Sequence, residues 1–211
     1  MFAKKNLLQG SSIVMGLFLV ACTTTTPASE KVYPYSFNTL KIEYNVTGNQ
    51  AGNITEYFKN DQTATTLVLE DKAQKKINVT ILGLKEKNIT FDNETKKGTQ
   101  SPNGLYDELK KMPMEKRMEY LLRLKTNSVK STVPQIKEKR IIAGKECNLY
   151  ELAPGTEVCL WEGYQLYSKL TTQTMTLEQV ATKIETNPEL PDSLFEIPKD
   201  IQFATTSTTQ Q

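Results

Sequence analysis

The sequence predicts an α+β fold: an antiparallel β meander, a helical insertion, and a second run of strands closed by a short helix. Three observations predict it. Five segments between residues 40 and 91 carry strand patterning and are joined by short turns rich in Gly, Asn and Asp. Residues 104–125 then switch to helical spacing. Residues 135–170 return to strand patterning around two cysteines.

The first segment, 40–46 (LKIEYNV), places Leu40, Ile42, Tyr44 and Val46 on one face, the period of a half-buried strand. TGNQAGN follows as a turn, then 54–58 (ITEYF), the turn KNDQ, and 64–70 (ATTLVLE). Residues 76–82 (KINVTIL) keep Ile77, Val79 and Ile81 in step, and 88–91 (NITF) make a fifth, short strand. Links this short suit antiparallel neighbours, because a parallel pair needs a long crossover.

In 104–125, Leu105, Leu109 and Met112 share a helical face after an Asn103 cap. Pro113 interrupts, and Met114, Met118, Leu121 and Leu122 continue the stripe. Proline removes a helical hydrogen bond, so the stretch reads as two short helices or one kinked one. Strands return at 135–142, 147–152, 158–161 and 164–170, with APGT as a turn between the second and third. Residues 176–185 (TLEQVATKIE) predict a third helix: Thr176 and Gln179 match a capping box, and Leu177, Val180, Ala181 and Ile184 form an apolar stripe. Asn187-Pro188 ends it, and Phe195, Ile197 and Pro198 make a last extended piece packed back on the sheet.

The ends of the chain say where the domain works. Lys4 and Lys5 precede an apolar run at 13–21, too short for a permanent span and suited to a signal peptide over residues 1–21. LVAC at 19–22 resembles the bacterial lipobox. That resemblance implies cleavage before Cys22 and acylation of its thiol and new amine, hence a membrane anchor with no transmembrane helix. Residues 22–36 are expected to be the lipidated cysteine and a flexible linker, 37–203 one domain, and 204–211 a disordered tail. Thr23 resembles the residue that sends Gram-negative lipoproteins to the outer membrane, facing the periplasm.

The mature chain carries equal basic and acidic counts once Lys4 and Lys5 are removed from 26 basic against 24 acidic residues. A neutral chain argues against general nucleic-acid binding. There is no histidine, which removes the commonest general base and metal ligand, so neither a metal nor a cofactor is expected. With Cys22 taken by lipid, Cys147 and Cys159 remain as an even pair in an oxidising compartment, the arithmetic of a disulfide.

GKECNLYEL (144–152), CLWEGYQL (159–166) and FEIP (195–198), placed after a meander and a helical insertion, resemble proteins with the fold of the lipoprotein localisation (Lol) carriers. The resemblance implies a curved, incomplete antiparallel barrel with two or three helices covering its open side. It also implies a concave face that binds a lipid or another hydrophobic ligand.

Several features admit two readings. Met112, Met114, Met118 and Leu121 suit contact with an apolar ligand, or plain packing of helix on sheet. From Lys110 to Arg140 ten basic residues face three acidic ones, which suits anionic head groups or a solvated surface. Trp161, Tyr164 and Tyr167 are core or a sugar-stacking platform. Of the Asn-x-Thr sequons at Asn45, Asn53, Asn78, Asn88 and Asn93, those at Asn45 and Asn88 also carry an acidic residue two positions before, which resembles a bacterial glycosylation sequon. No G-x-S-x-G or S-x-x-K motif occurs, so no enzyme is expected. The sequence therefore predicts a non-catalytic, membrane-tethered module for a hydrophobic ligand; the alternative is a filled-core envelope lipoprotein with a protein partner.

Overall fold

Period-two rows of β-branched and aromatic residues dominate the chain, and in a computed structural model describing residues 31–126 and 135–203 they pair into one open sheet of twelve strands. The signal peptide, Cys22, Lys130 and the tail 204–211 lie outside the described residues. The strands are Thr39–Gly48 (β1), Gln50–Lys59 (β2), Gln62–Asp71 (β3), Lys76–Gly83 (β4), Lys87–Asp92 (β5), Lys97–Pro102 (β6), Glu138–Ile142 (β7), Lys145–Ala153 (β8), Thr156–Trp161 (β9), Tyr164–Thr171 (β10), Thr176–Thr186 (β11) and Gln202–Phe203 (β12). Their order is β12-β6-β5-β4-β3-β2-β1-β11-β10-β9-β8-β7. Two helices, Gly104–Lys111 (α1) and Met114–Lys125 (α2), join β6 to β7. Pro113 separates them, and Asn103 caps α1 by accepting from Tyr106 N.

This corrects the expected class. The molecule is not an α+β fold with two or three helices: among the described residues it is a large, open, mixed sheet, antiparallel except where β12 runs parallel to β6, with two α-helices of 8 and 12 residues. The predicted helix at 176–185 is strand β11, hydrogen-bonded between β1 and β10. The error has a physical cause. Tyr44 faces Ala181 and Ile42 faces Ile184, so a β-bulge beside Thr182 carries the buried row from residue 181 to residue 184. A strand with one extra residue thus imitates helical i, i+3 spacing. Strand β6 (KGTQSP) has no apolar row that would predict it, and at the sheet margin only the two-residue β12 lies beyond it. The first turn is also tighter than TGNQAGN suggests. Strand pairing runs through Gly48 and resumes at Gln50, with Gly48 at φ 114°, where an added Cβ would lie 2.2 Å from the Thr176 carbonyl oxygen.

Core residues occupy both sheet faces. Leu40, Ile42 and Tyr44 of β1 and Phe58 of β2 share the main cluster with Leu109 of α1 and Leu121 of α2. On the opposite face of β3–β5, Ala64, Leu82, Ile89 and Phe91 pack under Phe195 and Ile201 of the C-terminal segment. Strands β8 and β9 are buried on both sides: Tyr150, Val158 and Leu160 meet Leu122 of α2, while Cys147, Leu149 and Cys159 belong to the main cluster. Cys147 and Cys159 are joined by a disulfide, their Cα atoms 5.5 Å apart. The Arg140 guanidinium on β7 lies 5.4 Å from the centre of the Tyr167 ring on β10, three strands away in the sheet order. Three strand spacings would be about 14 Å in a flat sheet, so the sheet bends sharply at this end.

Candidate functional site

Residues 31–37 (KVYPYSF) precede β1 and form a strap over its buried face. Val32, Tyr33, Tyr35 and Phe37 are buried, so the linker expected over 22–36 gives way to the domain by Val32. Alternation puts the rings of residues 33, 35 and 37 on one side of an extended chain. Tyr33 stacks on Tyr35 at 5.6 Å and Tyr35 on Phe37 at 5.2 Å, while Phe58 of β2 meets all three edge-on. Tyr164 of β10 lies 4.6 Å from Tyr35, and Trp161 of β9 stacks on Phe37 at 5.6 Å. A β-bulge between Gln165 and Tyr167 sets Tyr164 and Tyr167 on one side although they are three residues apart.

The strap backbone is held by side chains. Asp61, 5% exposed, accepts from Val32 N at 2.8 Å and Tyr33 N at 2.9 Å. It sits in the two-residue turn Asn60-Asp61, where both φ angles are positive (51° and 62°), a conformation Asn and Asp tolerate. Arg117 of α2, 4% exposed, donates Nη1 to the carbonyls of Lys31 (3.0 Å) and Val32 (3.2 Å), and Nε to that of Met112 (2.9 Å). Lys31 Nζ donates to the carbonyls of Tyr35 and Phe37. Glu162 accepts from Ser36 Oγ at 2.5 Å; it stands in the tight β9–β10 turn, where Gly163 at φ 81° passes close under Met118.

Beneath the strap remains a cavity of about 200 Å³, lined by Tyr33, Tyr35, Tyr164, Glu56, Asn88, Asn103, Leu121 and Lys125 among others. Tyr44 Oη lies 3.0 Å from Glu56 Oε2 and 2.9 Å from the Gln165 carbonyl. Burial, reinforced by Asp61 and Tyr106, pushes the Tyr33 phenol up to about 12. Burial likewise raises Tyr35, Tyr44 and Tyr164, with Glu56 adding to each. A second cleft, about 560 Å³ and mostly apolar, lies at the other end of the sheet among Val79, Phe91, Asp92, Lys97, Thr99 and Phe203.

The residues singled out from the sequence do not form one surface. Leu121 is buried in the core and Met118 packs against it, while Met114 is 38% exposed. Met112 is half-buried, its carbonyl taken by Arg117. Trp161 packs on Phe37 under the Lys145 ammonium, and Tyr164 and Tyr167 are buried. Asn45 is exposed in the middle of β1, and Asn88 is half-buried on β5 beside the smaller cavity. Of the basic stretch, Arg123 pairs with Glu119, Lys137 with Glu151 and Glu157, Lys139 with Glu146, and Arg140 with Glu138. Among the described residues no three His, Cys, Asp or Glu side chains are placed to hold a metal, and no helix is long and apolar enough to cross a membrane. Sequence reasoning missed the strap and its two buried charges, although the alternation Tyr33-x-Tyr35-x-Phe37 is visible in the sequence.

No protein-family model and no curated protein matches the chain. Solved structures do. An uncharacterised conserved protein from Thermus thermophilus shares 8% identity at a TM-score of 0.49, covering 82% of this chain and 94% of that one. MucB in the Pseudomonas aeruginosa MucA/MucB complex shares 11% identity at a TM-score of 0.45, covering 83% of this chain and 61% of that one. A structure of MucB without that partner gives 9% and 0.40, covering 82% and 62%. At these scores the likenesses decide nothing about ligand, partner or location.

Proposed function

We propose that the protein is a non-catalytic lipoprotein of the cell envelope, tethered by acyl chains on Cys22 and acting through contacts with another protein. The lipobox and Thr23 support anchoring at the outer membrane, facing the periplasm, in a Gram-negative host. The observation that carries the protein-contact reading is the filled groove. Its own strap and helices leave about 200 Å³, below the roughly 300–1,000 Å³ typical of small-molecule sites. The residual space has a mixed lining: phenols, the Glu56 carboxylate, the Lys125 ammonium and amides stand beside Leu105 and Leu121.

The test is mass spectrometry and crosslinking on the full-length protein from its native membrane. The expected result is an acylated Cys22, no further lipid on the domain, and one stoichiometric protein crosslink that persists when Cys22→Ser abolishes the anchor. Lipid retained by the domain with no protein crosslink would overturn it. The 560 Å³ apolar cleft supports a second reading, a hydrophobic ligand at the β4–β6 margin; retained lipid that is lost in Val79→Glu would select it.

A further inference from the structure

We infer that the bed beneath the strap is a peptide-recognition groove, held in cis by residues 31–37 and able to take from another polypeptide an extended segment with aromatic side chains at alternate positions. This rests on the protein-contact reading above and names the chemistry of the partner.

The strap is held as an incoming peptide would be. It pairs with no strand of the sheet. Its backbone is read by side chains instead: one carboxylate takes two successive N–H groups, and one guanidinium takes two successive carbonyls. Main-chain bonds of this kind give affinity without regard to sequence, while pockets for alternate side chains give specificity. Here the specificity elements are the rings of Phe58, Tyr164 and Trp161.

The bed is also built from outside the strap. Asp61 comes from the β2–β3 turn, Arg117 from α2, Glu162 from the β9–β10 turn and Phe58 from β2. Only Asn38 separates the last strap ring from β1. Two buried charged groups would lose strap partners if the bed emptied, and a buried charge that loses its hydrogen bonds is strongly disfavoured. The bed therefore favours replacement over vacancy. In cis the strap holds the bed at high effective concentration, so a partner segment must compete with it.

A protease site inserted after Asn38 in the full-length protein tests this. After cutting, the strap fragment should stay bound under native conditions. It should then exchange for a fluorescent peptide spanning residues 29–38, with saturable binding. Affinity should fall at least tenfold when the residues at 33, 35 and 37 of the peptide are alanine, and similarly in Asp61→Ala or Arg117→Met protein. Circular dichroism and a cooperative melt follow the fold throughout. Unfolding on cleavage would show the strap to be inseparable core and overturn the inference, as would a folded, cut protein that ignores the peptide. The stoichiometric crosslink of the uncut protein is scored separately: if it survives while the peptide fails, protein contact stands and the groove is wrong.

Discussion

At β1 and β2 the apolar row of the sheet is closed from above by the strap and the helices; at β3–β5 the buried row lies on the opposite face, under the C-terminal segment. The difference shows in what is left open. Near the strap the residual space is small and of mixed lining, whereas on β3 and β4 Val68 is 53% and Ile81 38% exposed and the larger cleft beside β4–β6 is mostly apolar. One sheet therefore carries a consolidated end, built from rings and buried charges, and an end whose larger cleft is apolar; exposed apolar side chains occur at both, since Ile141 on β7 is 79% exposed.

The largest effect that tests this contrast is a pair of truncations. Tyr35→Ala removes a ring in contact with Tyr33, Phe37, Phe58 and Tyr164, and should cost about 3–5 kcal/mol of unfolding free energy in urea. Ile81→Ala should cost under about 1 kcal/mol, because a half-exposed side chain forfeits little burial. Equal costs would remove the distinction between the two ends.

Next is the disulfide, which belongs to the consolidated end. Replacing Cys147 and Cys159 together by alanine should lower stability by about 3 kcal/mol through the freed loop in the unfolded chain. Hydrogen exchange sharpens the comparison. Amides of β8 and β9 should lose more protection than those of β3–β5, and uniform loss would mean that the sheet opens as one unit.

How much of this is legible in the sequence depends on whether burial follows a regular period. The first five strands and the Pro113 break between the helices are readable because Leu40, Ile42, Tyr44 and Val46 alternate without interruption and proline has one helical consequence. Strand β11 is not readable, because its bulge beside Thr182 moves the buried row by three residues and imitates a helix. Strand β6 carries no apolar row at all. The candidate groove is hidden differently. Tyr33, Tyr35 and Phe37 alternate as in a strand, yet they follow a polar stretch that reads as a leash. The groups that clamp them, Asp61 in a turn and Arg117 on a charged helix, look like ordinary surface residues until the fold brings them to the strap.

Counted per group, the smallest expected loss at the strap end comes from alkaline pH. The Tyr33 phenol is held at about 12 in the folded protein against 10.0 when unperturbed, and Tyr35, Tyr44 and Tyr164 are raised as well. Raised phenols favour the protonated form in the folded state. Their contribution is complete below pH 10 and declines above it, as the unfolded chain sheds protons that the folded chain keeps. For Tyr33 alone the loss at pH 11 is about 1.4 kcal/mol. Urea midpoints should therefore hold steady to about pH 10 and then fall. Tyr33→Phe should flatten that fall, whereas Ile81→Ala should leave its slope unchanged. If phenolate absorbance instead rises fully near pH 10 while the protein stays folded, the rings beneath the strap are open to water, and the consolidated end is no more closed than the other.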